Sequence, residues 1–249
     1  MHPHWEQSGF PPNWHGVIFV VRSAEIVLVV TANSHSSGEA GGVSRSRPVA
    51  LTIAGSDSSG GAGIVADLKT FEAHGVWGTV ALTAVTAQNT LGVQAVETLT
   101  PEMVRAQIAS VVADLGVDAA KTGMLGSDAV VAEVARTVVE LGVRPLVVDP
   151  VMVASTGGRL LDTDAVDAVI RHLLPHAAVV TPNLAEAGAL VGFEVTDRAA
   201  MERAARALGA MGPQVVLVKG GHLTGDASPY CMLVAGEDPV WLEGARLPD

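Results

Sequence analysis

Cysteine is almost absent from this 249-residue chain, where Cys231 stands alone. A single thiol excludes an internal disulfide and points to a reducing, cytoplasmic compartment. Aromatic residues are also scarce, at 4%, although 49% of the chain is apolar. The core must therefore be assembled from Ala, Val, Leu and Ile, as in a buried parallel sheet packed by helices. Basic residues are few: 15 Lys and Arg face 26 Asp and Glu, a formal charge of −11. That balance argues against nucleic acid or an anionic membrane as partner. Near the start, Arg22 and Glu25 separate the apolar runs 17–21 and 26–30, whereas a spanning helix needs ~20 mostly apolar residues. No Lys or Arg precedes Arg22, so a secretory signal lacks its basic start.

Two loop motifs are missing as well. Residues 55–63 read Gly-Ser-Asp-Ser-Ser-Gly-Gly-Ala-Gly, after the apolar run 49–54 and before a helical pattern. A strand that breaks into a glycine-rich turn and opens a helix brings bare backbone N–H groups close to a ligand. Position 61 is glycine, not the lysine of the P-loop, and no G-x-G-x-x-G occurs there, so neither common nucleotide fingerprint applies. A small-molecule site and a plain tight turn are both open readings of this loop alone.

What is present is alternation. Strands are predicted at 50–54, 79–87, 118–121, 146–149, 177–181 and 215–219. Helices are predicted at 64–74, 101–115, 127–141, 163–174 and 198–211, with Thr100 as N-cap before Pro101 and C′ glycines at Gly116 and Gly142. This pattern implies a mostly parallel sheet with helices on both faces. Residues 1–47 differ in character. The two β-prone runs suit a hairpin, and Ser/Gly-rich 34–47 reads as a linker. The alternative is that translation starts near Val43. Ligands collect at the carboxyl ends of parallel strands, and the polar and glycine-rich residues concentrate at those ends.

Six motifs at those ends, AGSDSSGGAGIVADLKTF (54–71), TAQNT (86–90), KTGML (121–125), DPVM (149–152), TPNLAEA (181–187) and VKGGHL (218–223), together resemble the hydroxymethylpyrimidine and phosphomethylpyrimidine kinases of thiamine biosynthesis. The resemblance runs from about Pro48 to Asp249, so 48–249 is expected to form one ribokinase-like α/β three-layer sandwich and 1–47 a non-family extension. It implies ATP-dependent phosphorylation of 4-amino-5-hydroxymethyl-2-methylpyrimidine and then of its monophosphate, with Mg2+, by a homodimer.

The same resemblance suggests roles. Asp67, in the first turn of the predicted helix, and Gln88 would read the polar edge of the aminopyrimidine, since carboxylate and carboxamide match its donor and acceptors. Gly55 would let backbone approach the substrate, and Met124 and Val151 would wall the ring. Asp149 and Glu186 would hold magnesium directly or through water, with Asn183 beside them. Lys219 would face the ATP phosphates, with Gly220 and Gly221 allowing close approach. Each has a structural alternative: a helix-start carboxylate for Asp67 or Glu186, a strand-end cap for Asp149, a solvated lysine for Lys219, ordinary core for Met124 or Val151.

Two departures from the resemblance stand out. Ser155-Thr156-Gly157-Gly158 occupies a loop where some relatives place lysine. The relatives' Gly-Thr-Gly-Cys motif, with its anion hole and proposed catalytic cysteine, falls beyond Asp249; Cys231 lies upstream, in an apparent strand. No catalytic base is therefore assigned, and low turnover is expected of the chain as written. The competing readings are a pyridoxal or pyridoxine kinase, a pyrimidine-binding protein without transfer activity, and a dinucleotide-dependent oxidoreductase, which fits the fold class but lacks its fingerprint.

Overall fold

The structure is a computed structural model that describes residues 17–22, 25–30, 47–152, 163–221, 223 and 227–245. The His/Pro/Trp-rich start, most of the predicted linker, the 155–158 loop and His222 lie outside the described residues.

Strands β1 (Val17–Arg22) and β2 (Glu25–Val30) form the expected antiparallel hairpin, in the register Val17↔Val30 to Arg22↔Glu25. The following α/β region comprises β3 (Val49–Ala54), α1 (Gly63–Ala73), β4 (Trp77–Leu82), β5 (Ala84–Asn89), β6 (Gly92–Thr98), α2 (Pro101–Asp114), β7 (Ala119–Thr122), α3 (Asp128–Glu140) and β8 (Leu146–Val148). It continues through α4 (Thr163–Ala168), β9 (Val179–Val180), α5 (Leu184–Val191), α6 (Arg198–Gly209), β10 (Val215–Lys219), β11 (Ala227–Val234) and β12 (Val240–Ala245).

Eight strands make one sheet in the order β12-β11-β10-β9-β8-β7-β3-β4. From β4 to β10 every neighbour pair is parallel; β11 and β12 are added antiparallel. Alternate residues of a strand point to opposite faces, and β3 divides accordingly. Leu51 and Ile53 pack with residues of α2, α3, α5 and α6, whereas Ala50 packs with Leu68 and Phe71 of α1. Helices therefore lie on both faces, as the alternation predicts.

The helix ends follow the sequence signals. Thr100 Oγ1 accepts the Met103 N–H at 3.3 Å and Pro101 opens α2. Gly116 and Gly142 take positive φ values of 64° and 66°, the left-handed turn that a C′ glycine permits.

Three predictions needed correction. The run 79–87 is two strands: β4 stays in the main sheet, while β5 leaves it to pair with β6, which was not anticipated. Thr83 forms the corner, donating its hydroxyl to Met124 O at 2.6 Å and its N–H to Ala54 O at 3.0 Å. The helix predicted over 163–174 is α-helical over Thr163–Ala168, but continues as a π turn at Val169–Leu173 and a 3-10 turn at Leu174–His176, where Pro175 supplies no N–H to continue it. Asp67 is the fifth residue of α1, one position past its first turn, so the helix-start role does not apply to it.

Candidate active site

The period of two along each strand sets which side chains meet. On β7, β8, β9 and β10, Ala119, Val147, Val179 and Val215 form an apolar cluster on one face. Stepping toward the carboxyl ends on that parity gives Lys121, Asp149, Thr181 and Lys219; Thr52 of β3 is the register partner of Lys121. Five polar groups thus emerge side by side, on the face that carries α1.

They are joined by short contacts. Lys121 Nζ donates to Asp67 Oδ1 at 2.8 Å and to Oδ2 at 3.1 Å, and Thr52 Oγ1 donates to Asp67 Oδ2 at 2.6 Å. The same ammonium lies 3.8 Å from Asp149 Oδ2. Asp149 Oδ1 accepts from Lys219 Nζ and from Thr181 Oγ1, each at 3.1 Å. The result is a chain of alternating charge, Asp67–Lys121–Asp149–Lys219, whose side chains are 9–19% exposed. Burial alone would raise the Asp149 pKa, but the charges of Lys219 and Lys121, with the hydrogen bonds from Lys219 and Thr181, hold it below the usual carboxylate range.

Glu186 stands at the start of α5 in a capping box: its N–H donates to Asn183 Oδ1 at 2.9 Å, and its Oε2 accepts the Asn183 N–H at 2.8 Å. It is 6% exposed. Burial pushes its pKa up to about 7; the Lys219 charge opposes the rise, and the Asp149 charge adds to it. That mutual influence places Glu186, Asp149 and Lys219 in one electrostatic unit. Asn183 also bridges to Lys219 through the backbone, next to the bond from Lys219 N–H to Pro182 O at 2.8 Å.

Met124 and Gln88 lie against the glycine loop. The Gly55 N–H donates to Met124 O at 3.1 Å, and a Cβ on Gly55 would fall 2.4 Å from Met124 Cε. Gln88 sits on β5 above the loop, with Thr86 Oγ1 at 3.4 Å from its Oε1. Val151 follows β8 directly after Asp149 and Pro150 and is half-buried.

Two expectations change here. The loop N–H groups are not held out for a ligand: the Asp57 carboxylate accepts from Ser59, Gly61 and Ala62 N–H at 2.9–3.0 Å. The loop is an anion-centred turn whose anion is its own side chain. Gly220 likewise donates its N–H to Pro229 O at 2.8 Å, and a Cβ there would meet Pro229 O at 2.4 Å, so strand packing requires this glycine. A Cβ on Gly221 would meet no atom of the described residues within 4 Å.

Sequence reasoning missed Lys121, Thr52, Thr181 and Asp57. The first three were discoverable from strand parity relative to Asp149 and Lys219. Cys231 is fully buried, and burial raises its thiol to about 11, consistent with its exclusion as a base.

Among the described residues no group of three or more His, Cys, Asp or Glu could hold a metal ion. Magnesium bound beside nucleotide phosphates needs only one or two carboxylates, the rest being phosphate oxygens and water. Asp149 and Glu186 supply two carboxylates whose charges bear on each other.

Solved structures place this architecture among the ribokinase-like vitamin kinases. A phosphomethylpyrimidine kinase from Clostridium difficile is 40% identical with a TM-score of 0.72, over 79% of this chain and 84% of its own. The pyridoxal kinase of Bacillus subtilis, solved as an ADP complex, is 38% identical with a TM-score of 0.75, over 82% and 78%. The chain belongs to the phosphomethylpyrimidine kinase family, whose profile matches residues 57–249. The hydroxymethylpyrimidine/phosphomethylpyrimidine kinases of Rhizobium meliloti and Streptomyces coelicolor are 54% and 52% identical to it, over 80% of this chain and 74% and 73% of theirs.

Proposed function

We propose that this kinase transfers the γ-phosphoryl group of ATP to the hydroxymethyl oxygen of 4-amino-5-hydroxymethyl-2-methylpyrimidine, and then phosphorylates the monophosphate. The observation that carries the reading is the buried chain Asp67–Lys121–Asp149–Lys219, which runs from the helix that follows the glycine loop to a lysine at a strand end.

Each residue has work that its surroundings suit. Gly55 brings bare backbone to the substrate, with Met124, packed against that glycine, and Val151 as apolar walls. The Gln88 carboxamide pairs with the aminopyrimidine edge. Asp67 has three of its roughly four acceptor positions filled by Lys121 and Thr52, and the remaining Oδ1 position receives the amino group. Lys219 turns its ammonium to the phosphates, and the missing side chain of Gly221 lets them approach the backbone. Asp149 and Glu186 would hold Mg2+, directly or through water beside Asn183, and that ion would neutralise charge on the transferring phosphoryl group. Positioning and preorganised charge supply most of the rate in such transfers.

The protein is read as a cytoplasmic homodimer. Its lone cysteine is buried, no helix among the described residues is long and apolar enough to cross a membrane, and exposed Val85, Leu91 and Val96 on the β5–β6 hairpin offer apolar surface that a second copy would cover.

The pyridoxal kinases among the fold neighbours make the choice of alcohol the point to test. Purified protein is incubated with ATP, Mg2+ and either the aminopyrimidine alcohol or pyridoxal, and products are followed by 31P NMR while binding is measured by calorimetry. Mono- and then diphosphorylated pyrimidine is the expected product. Faster transfer to pyridoxal, or a folded protein with no pyrimidine affinity, would overturn the assignment.

A further inference from the structure

We infer that Lys121 is a positioning residue that releases Lys219 for the nucleotide by staying behind as the counter-ion of Asp149. The inference rests on the proposed placement of Lys219 at the ATP phosphates.

The geometry divides the two lysines into a fixed one and a movable one. Lys121 is held by both oxygens of Asp67, at 2.8 and 3.1 Å, midway along the sheet between β3 and β8. Lys219 is the last residue of β10, and the described side-chain partner of its ammonium is Asp149 alone, at 3.1 Å. Asp149 faces both ammoniums, Lys219 on Oδ1 and Lys121 on Oδ2. An incoming polyphosphate adds negative charge, and one ammonium must turn to meet it. Leaving a largely buried carboxylate without a cation is strongly unfavourable. With Lys121 pinned in place, Asp149 keeps a positive neighbour at 3.8 Å when Lys219 departs. Without Lys121, Lys219 becomes the sole protein cation among these contacts of Asp149, and each phosphate it binds strands that carboxylate.

Magnesium supplies the distinguishing signature. A divalent ion at Asp149 replaces the missing positive charge, so excess Mg2+ should repair a Lys121 defect. A loss of mere structural support would not respond in this way.

The test uses the full chain with Lys121→Met, Lys121→Arg and the double variant Asp67→Asn/Lys121→Met. The double variant removes the carboxylate together with its partner, which guards against misfolding from an unpaired buried Asp67. Circular dichroism confirms folding, and calorimetry measures AMP-PCP affinity at limiting and at saturating Mg2+. Affinity at limiting Mg2+ should fall about tenfold in Lys121→Met and in the double variant, and recover most of the loss at saturating Mg2+. Lys121→Arg should stay within about threefold of wild type at both. Wild-type affinity in the folded double variant, or an equal loss at both Mg2+ levels, overturns the role of Lys121. Wild-type protein that binds no AMP-PCP defeats the kinase reading instead, and unchanged nucleotide affinity in Lys219→Met defeats the phosphate role of Lys219.

Discussion

Ser58 and Gln88 exchange two hydrogen bonds: Ser58 Oγ donates to the Gln88 carbonyl at 2.8 Å and accepts the Gln88 N–H at 2.7 Å. Ser56 repeats the arrangement one step back, its Oγ accepting the Thr86 N–H at 3.0 Å while its carbonyl accepts Thr86 Oγ1 at 2.8 Å. Alternate serines of the glycine loop therefore stitch it to alternate residues of β5, and they aim Gln88 from below. Ser58→Ala removes both bonds of the first pair. Both groups are exposed and can turn to water, so the stability loss should be only about 1 kcal/mol. The larger effect should be a several-fold rise in the pyrimidine KM with the nucleotide KM unchanged. Steady-state kinetics with each substrate varied checks this; equal KM shifts, or none, would show that the serine pair does not position Gln88.

Gly55 and Gly63 lie in contact, yet they should respond differently to alanine. Gly63 has φ +57°, and its Cβ would sit 2.3 Å from the Gly55 carbonyl oxygen, a backbone atom that cannot step aside. Gly63→Ala should lower stability by several kcal/mol. At Gly55 the obstacle is Met124 Cε at 2.4 Å, the tip of a flexible side chain. Gly55→Ala should cost about 1 kcal/mol in stability, because Met124 can swing away, but the displaced thioether should weaken pyrimidine affinity about tenfold. Denaturant melts and calorimetry separate the two outcomes.

Much of the scaffold was legible because strand and helix periods are local. Thr100, Gly116 and Gly142 announced helix ends through capping chemistry, and Lys121, Asp149, Thr181 and Lys219 at the strand ends share one face, whereas Gln88 lies on the separate β5–β6 sheet. The departure of β5 was not legible: the run 79–87 is uniformly β-prone, and its break at Thr83 depends on Met124 O, 41 residues away. Lys121 was hidden for a related reason. A lysine at a strand end reads as solvated until parity and register place it between Asp67 and Asp149. Asp57 was overlooked because glycine loops invite an external anion, whereas here the anion is carried by the loop.

Glu186 should make the free protein less stable as the solution becomes more alkaline. Its folded-state pKa is raised from 4.5 to about 7, so its contribution is fully favourable below the unfolded value and is lost as pH rises through about 7. Glu186→Gln keeps an oxygen for the Asn183 N–H and carries no charge to bury. It should raise Tm at pH ~8, by up to roughly 2–3 kcal/mol of stability, and give no gain near pH ~4.5. The same variant should bind Mg-nucleotide more weakly, which sets stability against function at one carboxylate. Scanning calorimetry across this range decides it; a Tm difference independent of pH would remove Glu186 as the titrating group.

Asp57 predicts the opposite pH trend in the glycine loop. Burial alone would raise its pKa, but hydrogen bonds from the Ser59 hydroxyl and from the N–H groups of Ser59, Gly61 and Ala62 outweigh burial and lower it. A depressed folded-state pKa means stability that is complete above the unfolded value, near pH ~3.9, and lost as pH falls through the lower folded one. Asp57→Asn replaces one acceptor oxygen by an amide that confronts backbone donors, whichever way the side chain is turned. The variant should lose about 1–3 kcal/mol at neutral pH. Acid should then narrow the gap, because protonated Asp57 also places a donor among donors, and below pH ~3 the two proteins should melt closer together. Urea titrations at several pH values measure the gap directly. A deficit that persists unchanged into acid would mean that packing rather than ionisation fixes the loop; no deficit at neutral pH would mean that the turn does not depend on its internal anion.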